Sequence, residues 1–270
     1  MSQSLLRALD LLERLADGPA GLDELAAAAS VHKTTVMRLL HALEERRFVV
    51  RDEAQRYRLG SQLFALAAVA LDQREVIGIA RPHLARFNQR TGHTVHLAAL
   101  EGDDVVYIDK LESRHPVRMY SRVGLTAALH AAAVAKVLLA DLPPVRQRAI
   151  ADGIDYVPLT EHTITTPEGL LAELSTVARQ GWALDGSEHE AFVHCVAAPI
   201  HDARGRVIAA ASCSVPVVLL DRPGLLDLVP DLIACTDAVS ADLGWTRPAT
   251  SPTTTTTTNP NPNPNERTPS

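Results

Sequence analysis

The sequence predicts an α+β fold with a small helical N-terminal domain, a linker helix and a larger C-terminal α/β domain. Three observations predict this arrangement: helical patterns fill most of residues 1–60, an unbroken apolar run occupies residues 63–71, and hairpin and helix patterns alternate over residues 80–246. We therefore expect domains at 1–60 and 80–246 with a linker helix at 61–79. Residues 247–270 are rich in Thr, Asn and Pro and have almost nothing to bury, so we expect a disordered tail.

The N-terminal domain is predicted to contain three helices and a hairpin. Leucines recur at helical spacing in the first segment, and Asp17-Gly18-Pro19 ends it. Two short alternating segments follow the third helix, and the polar residues 52–54 between them suit a hairpin turn. The expected helices cover 3–16, 22–29 and 33–46, and the expected strands cover 48–51 and 55–59.

The linker run contains nine apolar residues with neither Gly nor Pro, which predicts a helix that is apolar on all sides. Such a helix must be covered, so we expect it to pack between chains or domains. It is too short to span a bilayer.

The C-terminal domain alternates between helices and antiparallel hairpins. Residues 101–104 form a turn, Pro143-Pro144 stops an alanine-rich helix, and Gly181 ends a helix that begins at Pro167. The expected helices cover 80–91, 129–142, 167–180 and 225–243, and the expected strands cover 94–100, 105–111, 182–188, 193–201 and 206–215.

The charge of the chain is unevenly distributed. The formal net charge of −6 argues on average against a nucleic-acid partner. Residues 31–60 nevertheless carry seven basic and four acidic side chains, whereas residues 61–246 carry 15 basic and 22 acidic ones. The positive charge is therefore concentrated on one part of the N-terminal domain, and the acidic character belongs to the C-terminal domain.

Composition also excludes other classes. No stretch reaches 18 apolar residues, and the N-terminus lacks the pattern of a signal peptide, so we expect a cytoplasmic protein with no membrane partner. The three cysteines, Cys195, Cys213 and Cys235, form no C-x-x-C pair and suit buried thiols in a reducing compartment.

Residues 22–39 fit a helix-turn-helix motif. Ala26 is the small residue where the helices cross, and Ser30 occupies the turn position that often carries Gly. The packing positions hold Leu25, Ala29, Val31, Val36 and Leu39. The start of the second helix offers hydrogen-bond donors to phosphates and base edges, at the end that enters the major groove: Lys33, Thr34, Thr35 and Arg38.

The hairpin that follows predicts a winged version of the motif. Arg51, Arg56 and Arg58 alternate with Tyr57, and we expect all four to clamp the DNA backbone or minor groove. Arg38 is the expected bidentate contact to guanine.

An ordered set of motifs over residues 4–245 resembles the IclR family of bacterial transcription regulators. The marks are Leu-Arg-Ala-Leu-Asp-Leu-Leu at 6–12, Lys-Thr-Thr-Val-Met-Arg-Leu-Leu at 33–40, Arg-Tyr-Arg-Leu-Gly at 56–60, Thr-Gly-His-Thr-Val at 91–95, Tyr-Ser-Arg-Val-Gly at 120–124, Leu-His at 129–130 with Lys136, and Cys-Val-Ala-Ala-Pro-Ile at 195–200. The resemblance implies a winged helix-turn-helix, a linker helix and a GAF-like effector-binding domain. It also implies a homodimer or homotetramer on a palindromic operator.

The resemblance further implies an effector pocket between the alanine-rich helix and the central sheet. Ala133 and Val134 would supply the backbone edge of the helix. The sheet side would hold Asp185, Cys195, Ser212 and Ser214, and the apolar wall would hold Met119, Val193 and Ala197. Ser212 and Ser214 are two residues apart on one predicted strand, so they share a face. No cofactor is implied.

This sequence departs from the family pattern at residues 131–135, which read Ala-Ala-Ala-Val-Ala where hydroxyl residues and glycines are frequent. This edge of the pocket is therefore more apolar than in the family pattern. We keep two candidate classes of effector, a small organic acid and a larger aromatic ligand. The small residues of the sheet could equally serve packing alone.

Catalytic and metal-binding alternatives have weaker support. His189 and His194 resemble the zinc-protease motif, but their spacing of five places them off one helix face. A metal site across a turn would need His189, His194, Cys195 and His201 together. No G-x-S-x-G elbow is present, and Ser187 has no identifiable base. We therefore expect no catalytic residues and no metal ligands. The alternative hypothesis is a small-molecule sensor or enzyme whose N-terminal domain mediates protein contacts.

Overall fold

The computed structural model describes residues 3–72, 75–116 and 121–246. The predicted tail and Met119 lie outside the described residues. Within them, no helix is long and apolar enough to cross a membrane.

The N-terminal domain has the predicted order of elements. Helices α1 (Gln3–Ala16), α2 (Leu22–Ala28) and α3 (Lys33–Glu45) precede a hairpin of β1 (Val49–Arg51) and β2 (Tyr57–Leu59). Leucines from all three helices, together with Val36 and Val49, form a buried core. Ser30 adopts a φ of +51°, the left-handed conformation that the tight turn between α2 and α3 requires.

Two helices follow the hairpin of the N-terminal domain. Helix α4 (Ser61–Asp72) confirms the predicted apolar helix, and it leaves Phe64, Leu66 and Val69 exposed. Helix α5 (Glu75–Thr91) begins five residues before its predicted start. Val76 and Ile79 explain the extension, because both pack against the core of the C-terminal domain.

A five-stranded antiparallel sheet forms the centre of the C-terminal domain. Its strands are β3 (Thr94–Glu101), β4 (Asp104–Leu111), β5 (Ala183–Asp185), β6 (Val193–His201) and β7 (Val207–Pro216). Their spatial order is β4-β3-β7-β6-β5. The α+β fold class is therefore confirmed.

Helices cover both faces of this sheet. Helix α6 (Ala133–Ala140) lies on one face, and α9 (Arg222–Asp227) and α10 (Val229–Asp242) lie on the other with α5. Helix α8 (Pro167–Gln180) packs against α6, and α7 (Pro144–Gly153) packs against α8. Side chains of alternate strand residues pack with α5 and α10 on one face, and the others face α6. Because α6 covers only part of its face, the ends of β6 and β7 beyond the start of α6 are left to line a cavity.

Two predicted helices differ in the structure. The alanine-rich helix begins at Ala133 rather than 129, because the amides of Ala131 and Ala132 close a tight turn onto the Ala128 carbonyl. The single helix expected over 225–243 is split into α9 and α10. Pro230 lies at the start of α10, where a proline ring is tolerated because it has no N–H to donate.

Candidate nucleic-acid interface and effector pocket

The amino-terminal end of α3 is open to solvent. Lys33, Thr34 and Arg38 are exposed there, and Thr35 is half-buried. His32 caps the helix: its Nδ1 accepts a hydrogen bond from the Thr34 amide at 3.4 Å and lies 2.9 Å from the Thr34 hydroxyl. The cap fixes the first turn of α3 and holds one of the four predicted DNA-contacting side chains in place.

The two basic side chains of α3 have different surroundings. Lys33 Nζ lies 2.6 Å from the Asp23 carboxylate on α2, so part of its charge is neutralised within the motif. Arg38 makes no ion pair with any described residue, and its guanidinium keeps all its donors for an external partner.

The hairpin exposes its arginines. All three wing arginines are exposed, but Arg56 also links the hairpin to the start of α2 through Glu24, at 3.3 Å, and the Pro19 carbonyl. Arg51 and Arg58 are therefore the wing arginines with the greatest freedom to reach a phosphate.

Tyr57 was wrongly predicted as a DNA contact. Its side chain is only 5% exposed and belongs to the N-terminal core. Its backbone pairs with Ala20 through two hydrogen bonds, and the Arg51 guanidinium carbon lies 5.4 Å from the centroid of its ring. Side chains alternate across a strand, so a residue between two exposed arginines points inward.

A cavity of about 260 Å³ lies between the start of α6 and the sheet. It brings together most of the side chains that the sequence predicted for an effector site. They are Ala133, Val134, Asp185, Val193, Cys195, Ser212 and Ser214.

Ala197 was wrongly predicted to line the pocket. It shares a face of β6 with Val193 and Cys195, but it is fully buried among the residues beneath α6. The predicted face was correct, but α6 covers the strand at that point. The remaining predicted wall residue, Met119, lies outside the described residues.

Several lining residues were not predicted. They are His96, Tyr107, Ser121, Leu125, Thr126, Ala132, His189 and Glu190. His96 stands directly opposite Ser212 in the register of β3 and β7, and it interrupts the apolar run at 95–100 in β3. A polar residue at that position was the signal that sequence reasoning could have used.

His96 forms the floor of the pocket. Its Nδ1 lies 3.3 Å from the Ser214 hydroxyl and 3.5 Å from that of Ser212, and its Nε2 lies 2.7 Å from the hydroxyl of Ser121. Burial lowers the pKa of His96 to about 3, helped by the charge of Lys110, so the ring is neutral. The predicted serines therefore share their hydrogen-bonding capacity with this ring before any ligand arrives.

The pocket offers both donors and acceptors to a ligand. The amides of Ala133 and Val134 at the start of α6 have no acceptor in the described part of the chain. Burial raises the pKa of the Asp185 carboxyl to about 7, so this group can donate or accept near neutral pH. None of the described lining residues is Lys or Arg.

The residues of the metal alternative are dispersed. His189 lines the pocket, whereas His194 and Cys195 are neighbours on β6 and therefore point to opposite faces of the sheet. Over residues 3–72, 75–116 and 121–246, no three His, Cys, Asp or Glu side chains are placed to hold one metal ion.

Comparison with known families identifies both domains. Residues 4–53 match the IclR helix-turn-helix domain, and residues 68–241 match the C-terminal domain of bacterial transcriptional regulator IclR. The chain belongs to the IclR family.

Individual members of the IclR family show the same similarity. The HTH-type transcriptional regulator KdgR of Escherichia coli K12 is 35% identical over 246 residues, which are 90% of this chain and 93% of that protein. The crystal structure of the Thermotoga maritima IclR superposes with a TM-score of 0.77 at 29% identity, covering 91% of this chain and all of that one.

An IclR homologue from Microbacterium hydrocarbonoxydans, crystallised with 4-hydroxybenzoate, has the same fold, with a TM-score of 0.78 at 24% identity over 89% of this chain and 99% of that one. The present chain, as a member of the IclR family, is a transcriptional regulator with a DNA-binding helix-turn-helix domain, and the enzyme alternative is wrong.

Proposed function

We propose that this regulator binds a palindromic operator as a homodimer or homotetramer, and that a small organic acid or aromatic effector in the pocket controls that binding. The observation that supports the DNA-binding half of the proposal is the open amino-terminal end of α3 with its exposed Arg38, which makes no ion pair with any described residue. The proposal takes residues 1–60 as the DNA-binding domain, 61–79 as the linker and 80–246 as the effector domain of a cytoplasmic protein.

On DNA, α3 enters the major groove with its first turns against the bases. Arg38 donates two hydrogen bonds to a guanine, and Thr34 and Thr35 donate to phosphates together with Lys33. Arg51 and Arg58, which are both exposed on the hairpin, contact the neighbouring backbone.

The oligomer supplies the second half-site. Phe64 is 74% exposed on α4, and Leu66 and Val69 are also exposed on this helix. Large apolar side chains exposed on more than one side of a helix favour its burial against a second copy. A twofold pair of N-terminal domains reads an inverted repeat, which is the reason for a palindromic operator.

The effector class follows from the pocket. A carboxylate is expected at the free amides of Ala133 and Val134, where the helix N-terminus favours negative charge. The rings of His96 and Tyr107, with centroids 5.0 Å apart, form an aromatic wall. The Asp185 carboxyl is placed to form a hydrogen bond with a ligand hydroxyl. The 4-hydroxybenzoate bound by the Microbacterium hydrocarbonoxydans homologue combines these three features.

The DNA half is tested by binding of the full chain to operator DNA in gel shifts. Arg38→Ala is expected to weaken binding about 5- to 150-fold, corresponding to the loss of one bidentate base contact. Lys33→Ala is expected to weaken it less, and Arg14→Ala, on α1, serves as the charge-matched control. Undiminished binding by both α3 variants would show that α3 is not the recognition helix.

The effector half is tested by thermal shift with a panel of organic and aromatic acids that includes 4-hydroxybenzoate. A ligand that stabilises the wild-type protein should fail to stabilise Ser212→Leu, because the leucine fills the pocket. Ser175→Leu, on the exposed surface of α8, is the control. Equal stabilisation of wild type and Ser212→Leu would exclude this cavity as the site.

A further inference from the structure

A lysine is fully buried beside the pocket. Lys136 lies on α6, and its side chain has no exposed surface. Its Nζ donates to Glu188 Oε1 at 2.6 Å, to the Leu184 carbonyl at 2.8 Å and to Glu173 Oε1 at 3.4 Å. An ammonium has three N–H donors, so every donor is used. A buried charge is retained only with partners of this kind.

The main partner of Lys136 lies in a turn that is constrained from several sides. Ser187 in this turn adopts a φ of +67°, a left-handed conformation that non-glycine residues rarely take. The hydroxyls of Thr160 and Thr163 donate to the carbonyls of Ser187 and Glu188, both at 2.7 Å. Such a conformation persists only where its surroundings hold it.

The same turn shapes one wall of the pocket. The amides of Glu188 and His189 donate to Asp185 Oδ1 at 2.7 and 3.3 Å, which fixes the carboxyl group of Asp185. Asp185, His189 and Glu190 all line the cavity, whereas Lys136 does not. The turn thus connects the buried ion pair to three pocket side chains.

We infer that Lys136 is a positioning residue of the pocket: its ammonium holds the turn at 186–190 and thereby sets the places of Asp185, His189 and Glu190. This inference rests on the proposed function of the cavity as the effector site. Lys136 lies one helical turn after Ala133, whose amide edges the same cavity. The Lys136 side chain therefore links α6, which forms one wall of the pocket, to the turn at 186–190, which forms another.

Positioning and stability can be separated by substitution. Removing one partner of a buried ion pair leaves the other charge unpaired and is strongly destabilising, whereas replacing both by apolar residues of similar size often restores stability. The double variant Lys136→Met/Glu188→Met is therefore expected to fold with a Tm near that of the wild-type protein. The turn in that variant loses its charged anchor.

Hydrogen exchange of the ligand-free full chain tests the inference. The protection factors of the amides of residues 188 and 189 should fall at least tenfold in Lys136→Met and in the double variant. Glu173→Gln, which alters the longest of the three contacts, is the control and should leave them within twofold. Wild-type protection at these amides in the folded double variant would overturn the inference, even if Lys136→Met fails to fold.

A second readout uses 4-hydroxybenzoate as the probe in thermal shift. If it stabilises the wild-type protein, the double variant should lose at least tenfold in apparent affinity, and equal affinity would overturn the inference. If neither 4-hydroxybenzoate nor any other acid of the panel stabilises the wild-type protein, the proposed effector function fails. The exchange measurement then still decides whether Lys136 holds the turn.

Discussion

Tyr57 provides a sharp test of the N-terminal domain, because the structure and the sequence pattern assign it different roles. A wing residue that contacts DNA would be needed for binding but not for folding. The structure instead buries its ring in the core and pairs its backbone with Ala20. The two substitutions Tyr57→Phe and Tyr57→Ala distinguish these roles.

The magnitudes follow from the surroundings of the ring. Removing a buried aromatic side chain costs about 3–5 kcal/mol, and loss of the contact with Arg51 adds about 0.5–1 kcal/mol. A domain of 60 residues has a free energy of unfolding of roughly 3–9 kcal/mol, so Tyr57→Ala should remove most of the stability of its N-terminal domain. The Tyr57 hydroxyl has no hydrogen-bond partner among the residues the structure describes. Tyr57→Phe should therefore change stability by less than about 0.5 kcal/mol.

Urea unfolding followed by circular dichroism measures the stability, and fluorescence anisotropy with labelled operator DNA measures the affinity. Tyr57→Phe should bind DNA within twofold of the wild-type protein. Tyr57→Ala should shift its N-terminal transition to much lower urea concentration, and its DNA binding should weaken only as far as the N-terminal domain is unfolded. A Tyr57→Ala protein that keeps wild-type stability but loses DNA binding would refute the core assignment and restore the role as a DNA contact.

Three further substitutions have defined expectations. Asp23→Asn frees Lys33 from its ion pair, so non-specific DNA affinity should rise about 2- to 5-fold at low salt, and unchanged anisotropy titrations would contradict this. Ser30→Gly relieves the left-handed φ of the motif turn and should stabilise the protein by about 0.5–1 kcal/mol, which a lower Tm would disprove. The pKa of Asp185 is raised on folding, so its contribution to stability is present below pH 4 and is lost as pH rises towards 7. The stability of Asp185→Asn relative to the wild-type protein should accordingly be more favourable at pH 8 than at pH 5. If urea unfolding gives the same stability difference between the two proteins at both pH values, the pKa of Asp185 is not raised.

Much of the fold follows from local sequence signals. Helix α8 was predicted to the residue, because Pro167 and Gly181 mark its ends by their backbone chemistry. The motif turn at Ser30 was also predicted by its position between two packed helices. Helix α5 was harder to delimit, since its early start depends on contacts with the C-terminal core.

The site was predictable only where it depends on chain periodicity. Ser212 and Ser214 line the pocket together because residues two apart share a face of a strand. His96 and Tyr107 come from other strands, and their approach to the serines depends on sheet register. Ala197 shows the converse, because periodicity gave its face correctly but could not show where α6 covers the strand.

Selection from random-sequence DNA by the full chain is the direct test of the proposal that a pair of α3 helices binds a palindromic operator. We expect enrichment of an inverted repeat whose half-sites are separated by about one helical turn, roughly 10 base pairs or a multiple of it. We also expect about 5- to 150-fold weaker binding of that sequence by Arg38→Ala. Failure to enrich any sequence, or enrichment of a sequence that Arg38→Ala binds as tightly as the wild-type protein, would contradict it.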